Sequence, residues 1–215
     1  MLDMMVPVTF WLLPMLATMA SLRSREHGSE RPLPRPSAMT MLLWCVVAIP
    51  GFLQLVEPQL LSLLRRDWPL IMEGQAWRLV SSVVVQDGGL VGMVFNLTIL
   101  AFVILGTQDR WSSARTWVTF WVGALIANCI VGPSLNPSGA GSSMATFIVA
   151  TALATRVLLS RPPRQALVLA AGALACVAYM IAAGNYHGFA ALVGTAAGLV
   201  PTRDTVRQQG LDECS

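Results

Sequence analysis

Two side chains of the types that can together carry out acyl transfer stand 44 residues apart in this chain, each at the start of an apolar segment: Ser143 and His187. A serine hydroxyl is a poor nucleophile until a neighbouring base takes its proton, and neutral imidazole, with a pKa of about 6.5, is the usual base near neutral pH. The reaction also needs hydrogen-bond donors for the oxyanion that develops on the attacked carbonyl, each worth roughly 3 kcal/mol. Asn96 and the backbone N–H of Ser143 are the candidates. No Asp or Glu lies inside any apolar segment, so the pattern is that of a Ser-His dyad and not of a membrane-embedded Ser-His-Asp triad. Each residue also has a plainer role open to it. Ser143, at the end of Gly139-Ala140-Gly141-Ser142-Ser143, fits a helix-capping serine. His187 fits an interfacial histidine bonded to a loop carbonyl, and Asn96, like Asn128, fits an amide that joins two membrane helices.

The elements that must hold these side chains follow from composition. Of the 215 residues, 55% are hydrophobic and 12% charged, and the mean hydropathy is +0.63, which excludes a soluble globular domain. The chain reads as an all-α polytopic membrane protein, since an open sheet edge cannot satisfy its backbone in lipid. Seven apolar segments run from Met4 to Leu22, Ala38 to Val56, Leu90 to Leu105, Thr116 to Val131, Ser143 to Leu159, Ala166 to Ala183 and Tyr186 to Val200. Several are shorter than the roughly 20 residues a helix needs to cross a bilayer, so they borrow flanking residues or sit in thinned lipid. The first carries Asp3 where a signal peptide has its basic region, and reads as a retained helix. Glu57 to Arg78, with Leu60, Leu61, Leu63, Leu64 and Trp68, reads as a piece lying in the interface.

Charge sets the orientation. All 14 basic residues are arginine, and a net charge of +3 spread along the chain gives no footprint for nucleic acid. With the loop from Ser21 to Ser37 on the cytoplasmic side, so are Arg23, Arg25, Arg31, Arg35, Arg110, Arg115, Arg156, Arg161, Arg164, Arg203 and Arg207, leaving only Arg65, Arg66 and Arg78 outside. In that orientation the segments headed by Ser143 and His187 both run from outside to inside, and the two side chains lie at similar depth. Cys45, Cys129, Cys176 and Cys214 lack the paired spacing of metal or redox sites and read as structural thiols.

Below His187, Ala190, Gly194 and Gly198 recur every four residues, a stripe that lets two membrane helices approach backbone to backbone. Below Ser143, Phe147, Ala150 and Ala154 extend one face. Matching the two stripes predicts close packing with Ser143 and His187 at the top. Ordinary helix packing without chemistry would use the same small residues.

From Ala38 to Val200 the chain resembles the rhomboid family of intramembrane serine proteases. Trp77-Arg78-Leu79-Val80-Ser81-Ser82 resembles the family's Trp-Arg start of the second core helix. Gly88-Gly89 and Val94-Phe95-Asn96 resemble the stretch ending in its oxyanion asparagine. Gly141-Ser142-Ser143 resembles its GxS nucleophile motif, and His187 with Ala190 and Gly194 resembles the pattern of its last core helix. Phe147 falls where the family often places an aromatic ring against that histidine. There are departures. The family's histidine four residues before the asparagine falls on Gly92, and its other common histidine falls near Asp87, which removes one side-chain oxyanion donor. Met144 replaces the glycine after the nucleophile, and Gly106 with Asp109 only approximates a glycine-and-glutamate motif.

The resemblance implies a six-helix rhomboid-like bundle over residues 38–201, preceded by an extra transmembrane helix and cytoplasmic loop over 1–37 and followed by a cytoplasmic tail over 202–215. It implies a serine endopeptidase that cleaves transmembrane substrates, with Ser143 as nucleophile, His187 as general base, and Asn96 with the Ser143 backbone as oxyanion donors. Gly141, Phe147, Ala190 and Gly194 support them. No metal or organic cofactor is implied, and the partners are membrane protein substrates and the bilayer. The expected location is a bacterial inner membrane, with the site toward the extracytoplasmic side. The alternative is a non-catalytic rhomboid-like protein that binds transmembrane clients. A small transporter would carry charged or paired polar residues along its spans, and this chain has almost none.

Overall fold

Apolar runs bounded by capping residues become helices, and the helices surround one of their number. The computed structural model describes residues 2–24, 34–108 and 110–201. Asp109, the arginine-rich stretch 25–33 and the tail from 202 lie outside the described residues, and with them the expectations placed on Arg25, Arg31, Arg203 and Arg207. The helices are α1 (Leu2–Arg23), α2 (Ala38–Val56), α3 (Gln59–Leu64), α4 (Trp68–Met72), α5 (Arg78–Ser81), α6 (Gly89–Thr107), α7 (Ser113–Val131), α8 (Ser143–Leu159), α9 (Arg164–Ala182) and α10 (Tyr186–Leu199). Two residue pairs make a small antiparallel ribbon, β1 (Arg66–Asp67) with β2 (Ser138–Gly139).

Local chemistry sets several boundaries. Ser37 Oγ accepts the Thr40 N–H at 3.2 Å and starts α2 at Ala38, and Ser112 Oγ accepts the Arg115 N–H at 3.2 Å and starts α7 at Ser113. The expected start of that span at Thr116 is therefore three residues late. Val83 to Val85 lies in the turn between α5 and α6.

Four helices of 19 residues, α2, α6, α7 and α9, are long and apolar enough to cross a membrane. Their outward faces agree with that. Val118, Val122, Ile126 and Ile130 recur every four residues along one exposed side of α7, and Leu42, Ile49 and Leu53, seven and four residues apart, line one exposed side of α2. Such stripes need lipid in place of water. At 17 and 14 residues, α8 and α10 reach only about 25 Å and 21 Å at 1.5 Å per residue, against a hydrocarbon core of about 30 Å.

The centre is α8. Every residue from Met144 to Thr155 is buried, and α1, α6, α7, α9 and α10 all pack on it. Its most extensive contact is with α10. α1 is not a loose addition, because it lies along α9, α8 and α6 and buries Leu13, Ala17 and Ala20 among them. Ser21 Oγ donates to the Gly106 carbonyl at 2.7 Å, which pins the far end of α1 to α6.

A serine and a buried histidine at the head of two parallel helices

Thr151 sets how α8 and α10 meet. Its Oγ1 lies 2.8 Å from the carbonyl of Phe147, the intrahelical bond a mid-helix threonine usually makes, and 2.9 Å from the Ala191 carbonyl of α10. The helix opposite must leave room. A Cβ on Gly194 would collide with Thr151 Oγ1 and the Ile148 carbonyl, and one on Gly198 would stand 2.6 Å from the Ala152 carbonyl. The glycine stripe thus packs on Ile148, Thr151, Ala152 and Thr155. This corrects the expected match with Ala150 and Ala154, which are buried in the main core. The correct face is one residue further round, because a threonine hydroxyl bonding across the seam needs a glycine opposite it.

Parallel packing brings the two helix starts together. Ser143 Oγ lies 2.9 Å from His187 Nε2, and His187 is 4% exposed. Asn185, the N-cap of α10, decides the tautomer. Its Oδ1 accepts the His187 backbone N–H at 2.9 Å and lies 3.2 Å from His187 Nδ1. A backbone N–H can only donate, so the atom facing it is oxygen, and the same oxygen facing Nδ1 places the ring proton there. Nε2 then carries a lone pair directed at the Ser143 hydroxyl. Sequence reasoning missed Asn185, although an Asn two residues before a helix-opening histidine was a legible signal.

The start of α8 is left open in a useful way. Ser142 occupies the N-cap position but makes no side-chain capping bond, so Ser143 is not a cap and the first-turn N–H groups of α8 are not taken by one. They present the positive end of the helix dipole beside Ser143 Oγ. Gly141 has φ +135°, a conformation that disfavours any side chain, and its N–H donates to the Ser82 carbonyl at 2.8 Å. A Cβ there would stand 3.4 Å from Asn96 Nδ2 and 3.8 Å from Ser143 Oγ, so Asn96, Gly141 and Ser143 share one small space.

The loop before α8 is held from two sides. On one side the β1–β2 ribbon pairs Arg66 with Gly139, and Trp68 N–H donates to the Pro137 carbonyl at 2.9 Å. On the other, Asp87 Oδ2 accepts the Ala140 N–H at 3.0 Å. Arg66 is the largest fully buried side chain, 1% exposed, and donates to Asn128 Oδ1 and to the Asn136 carbonyl at 3.1 Å. Burial lowers its pKa, while Tyr186 and Asp87 act in the opposite direction. Asn128, expected only as an amide between helices, also donates to the Leu79 carbonyl at 2.6 Å and so ties α7 to the α5 region. Arg78, in the Trp-Arg pair, caps the α3 end by donating to the Ser62 and Arg65 carbonyls, both at 2.9 Å.

A small polar cleft of about 20 Å³, enough for about one water molecule, reaches Ser143 and His187, lined by Arg66, Ser82, Asp87 and Tyr186 among others. Aromatic rings close in on the imidazole, Tyr186 at 4.1 Å among them. Phe147 lies 5.4 Å from the imidazole, and Phe10 of α1, which nothing in its sequence context singled out, stands edge-on at 4.5 Å from it and 5.1 Å from Phe147. Ala190 is buried in the small cluster with Ile148 and Met144. At Gly92 an added Cβ would meet nothing within 4 Å. No cluster of three or more metal-ligating side chains occurs among the described residues. No family model matches this chain, and no curated protein or solved structure matches it either.

Proposed function

We propose that this chain is a rhomboid-like intramembrane serine endopeptidase, a six-helix core of α2 and α6–α10 preceded by α1, that cleaves membrane proteins in or near their transmembrane segment. The observation that carries the proposal is the contact between Ser143 Oγ and His187 Nε2 at 2.9 Å, with Nδ1 facing Asn185 Oδ1. That arrangement is the one a serine needs to become nucleophilic. In the reaction, Ser143 Oγ bonds to the scissile carbonyl carbon as its proton passes to His187 Nε2, and the carbonyl electron pair moves onto oxygen. Asn96 Nδ2 and the N–H groups at the start of α8 stabilise that oxyanion. Collapse breaks the C–N bond, and His187 returns the proton to the leaving amine. Water from the polar cleft then repeats the sequence on the acyl-enzyme, with His187 again as base.

In this reading the cleft opens on the extracytoplasmic side of a bacterial inner membrane, and the arginine distribution supports that orientation. α8 and α10 are short because they begin below the membrane surface, where the cleft supplies water. A substrate helix must unwind to expose its peptide bond, so small or helix-weakening residues are expected around the cut.

The competing reading is a rhomboid-like protein that binds transmembrane clients without cutting them, and it draws on the bare position at Gly92 and on the Phe10 ring over His187. Two measurements separate them. A fluorophosphonate probe is expected to label the purified protein, to fail with Ser143→Ala, and to label His187→Ala far more slowly. Cleavage of a single-span model substrate in vesicles is expected to vanish in both variants. Equal labelling of wild type and Ser143→Ala would reject the hydrolase.

A further inference from the structure

The turn between α5 and α6 holds a buried amide that the proposed reaction has so far left unused. Gln86 is 1% exposed, and its Nε2 has no hydrogen-bond partner. Its other end is engaged: Oε1 accepts from Asn96 Nδ2 at 2.7 Å. A Cβ on Gly141 would stand 3.3 Å from Oε1, the same point that lies 3.4 Å from Asn96 Nδ2 and 3.8 Å from Ser143 Oγ. The Gln86 amide therefore borders the space shared by the serine hydroxyl and Asn96.

Its backbone is fixed with unusual completeness for a turn residue. Gln54 of α2 accepts the Gln86 N–H through Oε1 at 2.8 Å and donates Nε2 to the Gln86 carbonyl at 2.6 Å. Two amides on different helices thus hold a third in register with Asn96. A buried donor without an acceptor is costly, and where it borders a candidate reacting site a ligand atom is one partner that would supply the missing acceptor. A second orphan, Ser142 Oγ, adjoins Gly141 on the chain.

We propose that Gln86 is a second side-chain donor of the oxyanion site: its Oε1 orients the Asn96 amide and its Nε2 pairs with the substrate carbonyl oxygen as that oxygen becomes negative. The proposal rests on the hydrolase reading above. Gln86 moves no proton and forms no bond to carbon; it stabilises charge that appears only after Ser143 attacks, so its loss lowers kcat and leaves KM nearly unchanged. It also accounts for how the site works without a side chain at Gly92.

Two substitutions divide the roles. Gln86→Met keeps length and volume but removes both polar atoms. Gln86→Glu keeps an acceptor for Asn96 Nδ2 and removes the donor when ionised. Cleavage of a single-span model peptide in vesicles is expected to fall about 100- to 1000-fold in kcat for Gln86→Met, the usual loss for one oxyanion donor. Gln86→Glu should fall as far once pH is high enough to ionise its buried carboxyl, and its rate relative to wild type should rise as pH is lowered and that carboxyl regains a proton to donate. A kcat for Gln86→Glu within about threefold of wild type on the high-pH plateau, where the ratio no longer changes with pH and the carboxylate is ionised, would overturn donation by Nε2, because an acceptor alone would then suffice. The same result for Gln86→Met, with Ser143→Ala inactive, would overturn the whole proposal and leave the hydrolase standing. Cleavage that survives Ser143→Ala would reject the hydrolase itself. Thermal melting in detergent accompanies each variant, and a Gln86→Met protein that melts early transfers the decision to Gln86→Glu, whose bond to Asn96 is retained.

Discussion

Ser143 and His187 lie between two seams of different construction. Along α10, the contact is backbone against backbone: Gly194 and Gly198 leave no space for a Cβ, and Thr151 bonds across to the Ala191 carbonyl at 2.9 Å. Along α1, the contact is made by side-chain ends: Phe10 touches the imidazole, and Trp11 meets Phe95 at 3.9 Å between ring centroids. A backbone seam has one way to fit, whereas a seam of rings has several, since each ring can turn about χ1 and χ2. The first seam therefore fixes the distance between hydroxyl and imidazole, and the second covers it without fixing it. In the proposed hydrolase, a membrane substrate arriving from lipid replaces a cover, and the α1 seam, unlike the α10 seam, is built from replaceable parts.

The comparison breaks most visibly at Gly194. In Gly194→Val, the side chain meets Thr151 Oγ1 and the Ile148 carbonyl, so α10 must move away from α8 and carry His187 with it. A displacement of about 1 Å at reacting atoms costs roughly a hundredfold in rate. We expect kcat/KM to fall at least that far, with a lowered melting temperature. A Gly194→Val protein with wild-type kcat/KM would mean that the backbone seam does not set the pair's geometry.

A smaller loss is expected at Asn185, which orients the imidazole without bearing on the seam. Asn185→Ala removes the acceptor facing Nδ1 and the cap of α10, and we expect kcat to drop about 10- to 100-fold with KM unchanged and about 1 kcal/mol of stability lost. Asn185→Asp keeps the acceptor and should recover most of the rate. Should Asn185→Ala lose stability but no kcat, the residue is a cap alone. Thr151→Val sharpens the same seam: it removes the bond to Ala191 while keeping shape, at an expected cost of about 1 kcal/mol read from thermal melting, with little change in rate.

How far the sequence reached can be seen residue by residue. The apolar run from Ala38 to Val56 is α2 to the residue, because Ser37 caps one end and Glu57 with Pro58 closes the other. The α8 start at Ser143 was legible for a similar reason, a glycine-rich approach running into an apolar segment. The face of α8 toward α10 was misjudged by one residue, since small size alone points to Ala150 and Ala154 while the hydroxyl of Thr151 decides the matter. Gln86 and Arg66 left no trace, because their burial depends on Gln54, Asn96, Asn128 and Asn136, all distant in the chain. Phe10 was equally silent. Nothing within Met4 to Leu22 tells which of its faces turns inward until α6, α8 and α9 stand beside it.

Phe10 is where the comparison is tested most sharply. Phe10→Ala removes the ring over His187 and leaves α1 anchored by Leu13, Ala17 and the bond from Ser21 to the Gly106 carbonyl at 2.7 Å. Loss of a half-buried ring with two aromatic neighbours should lower stability by about 1–3 kcal/mol. Because the ring covers the imidazole without setting its distance to Ser143, the chemistry should survive, and kcat/KM for a membrane substrate should rise about two- to fivefold as the side route opens. The rise should be absent for a small fluorophosphonate probe, which reaches Ser143 through the polar cleft. A tenfold or larger fall in kcat/KM would show instead that the ring positions the imidazole, and α1 would then belong to the reacting geometry on the same footing as α10.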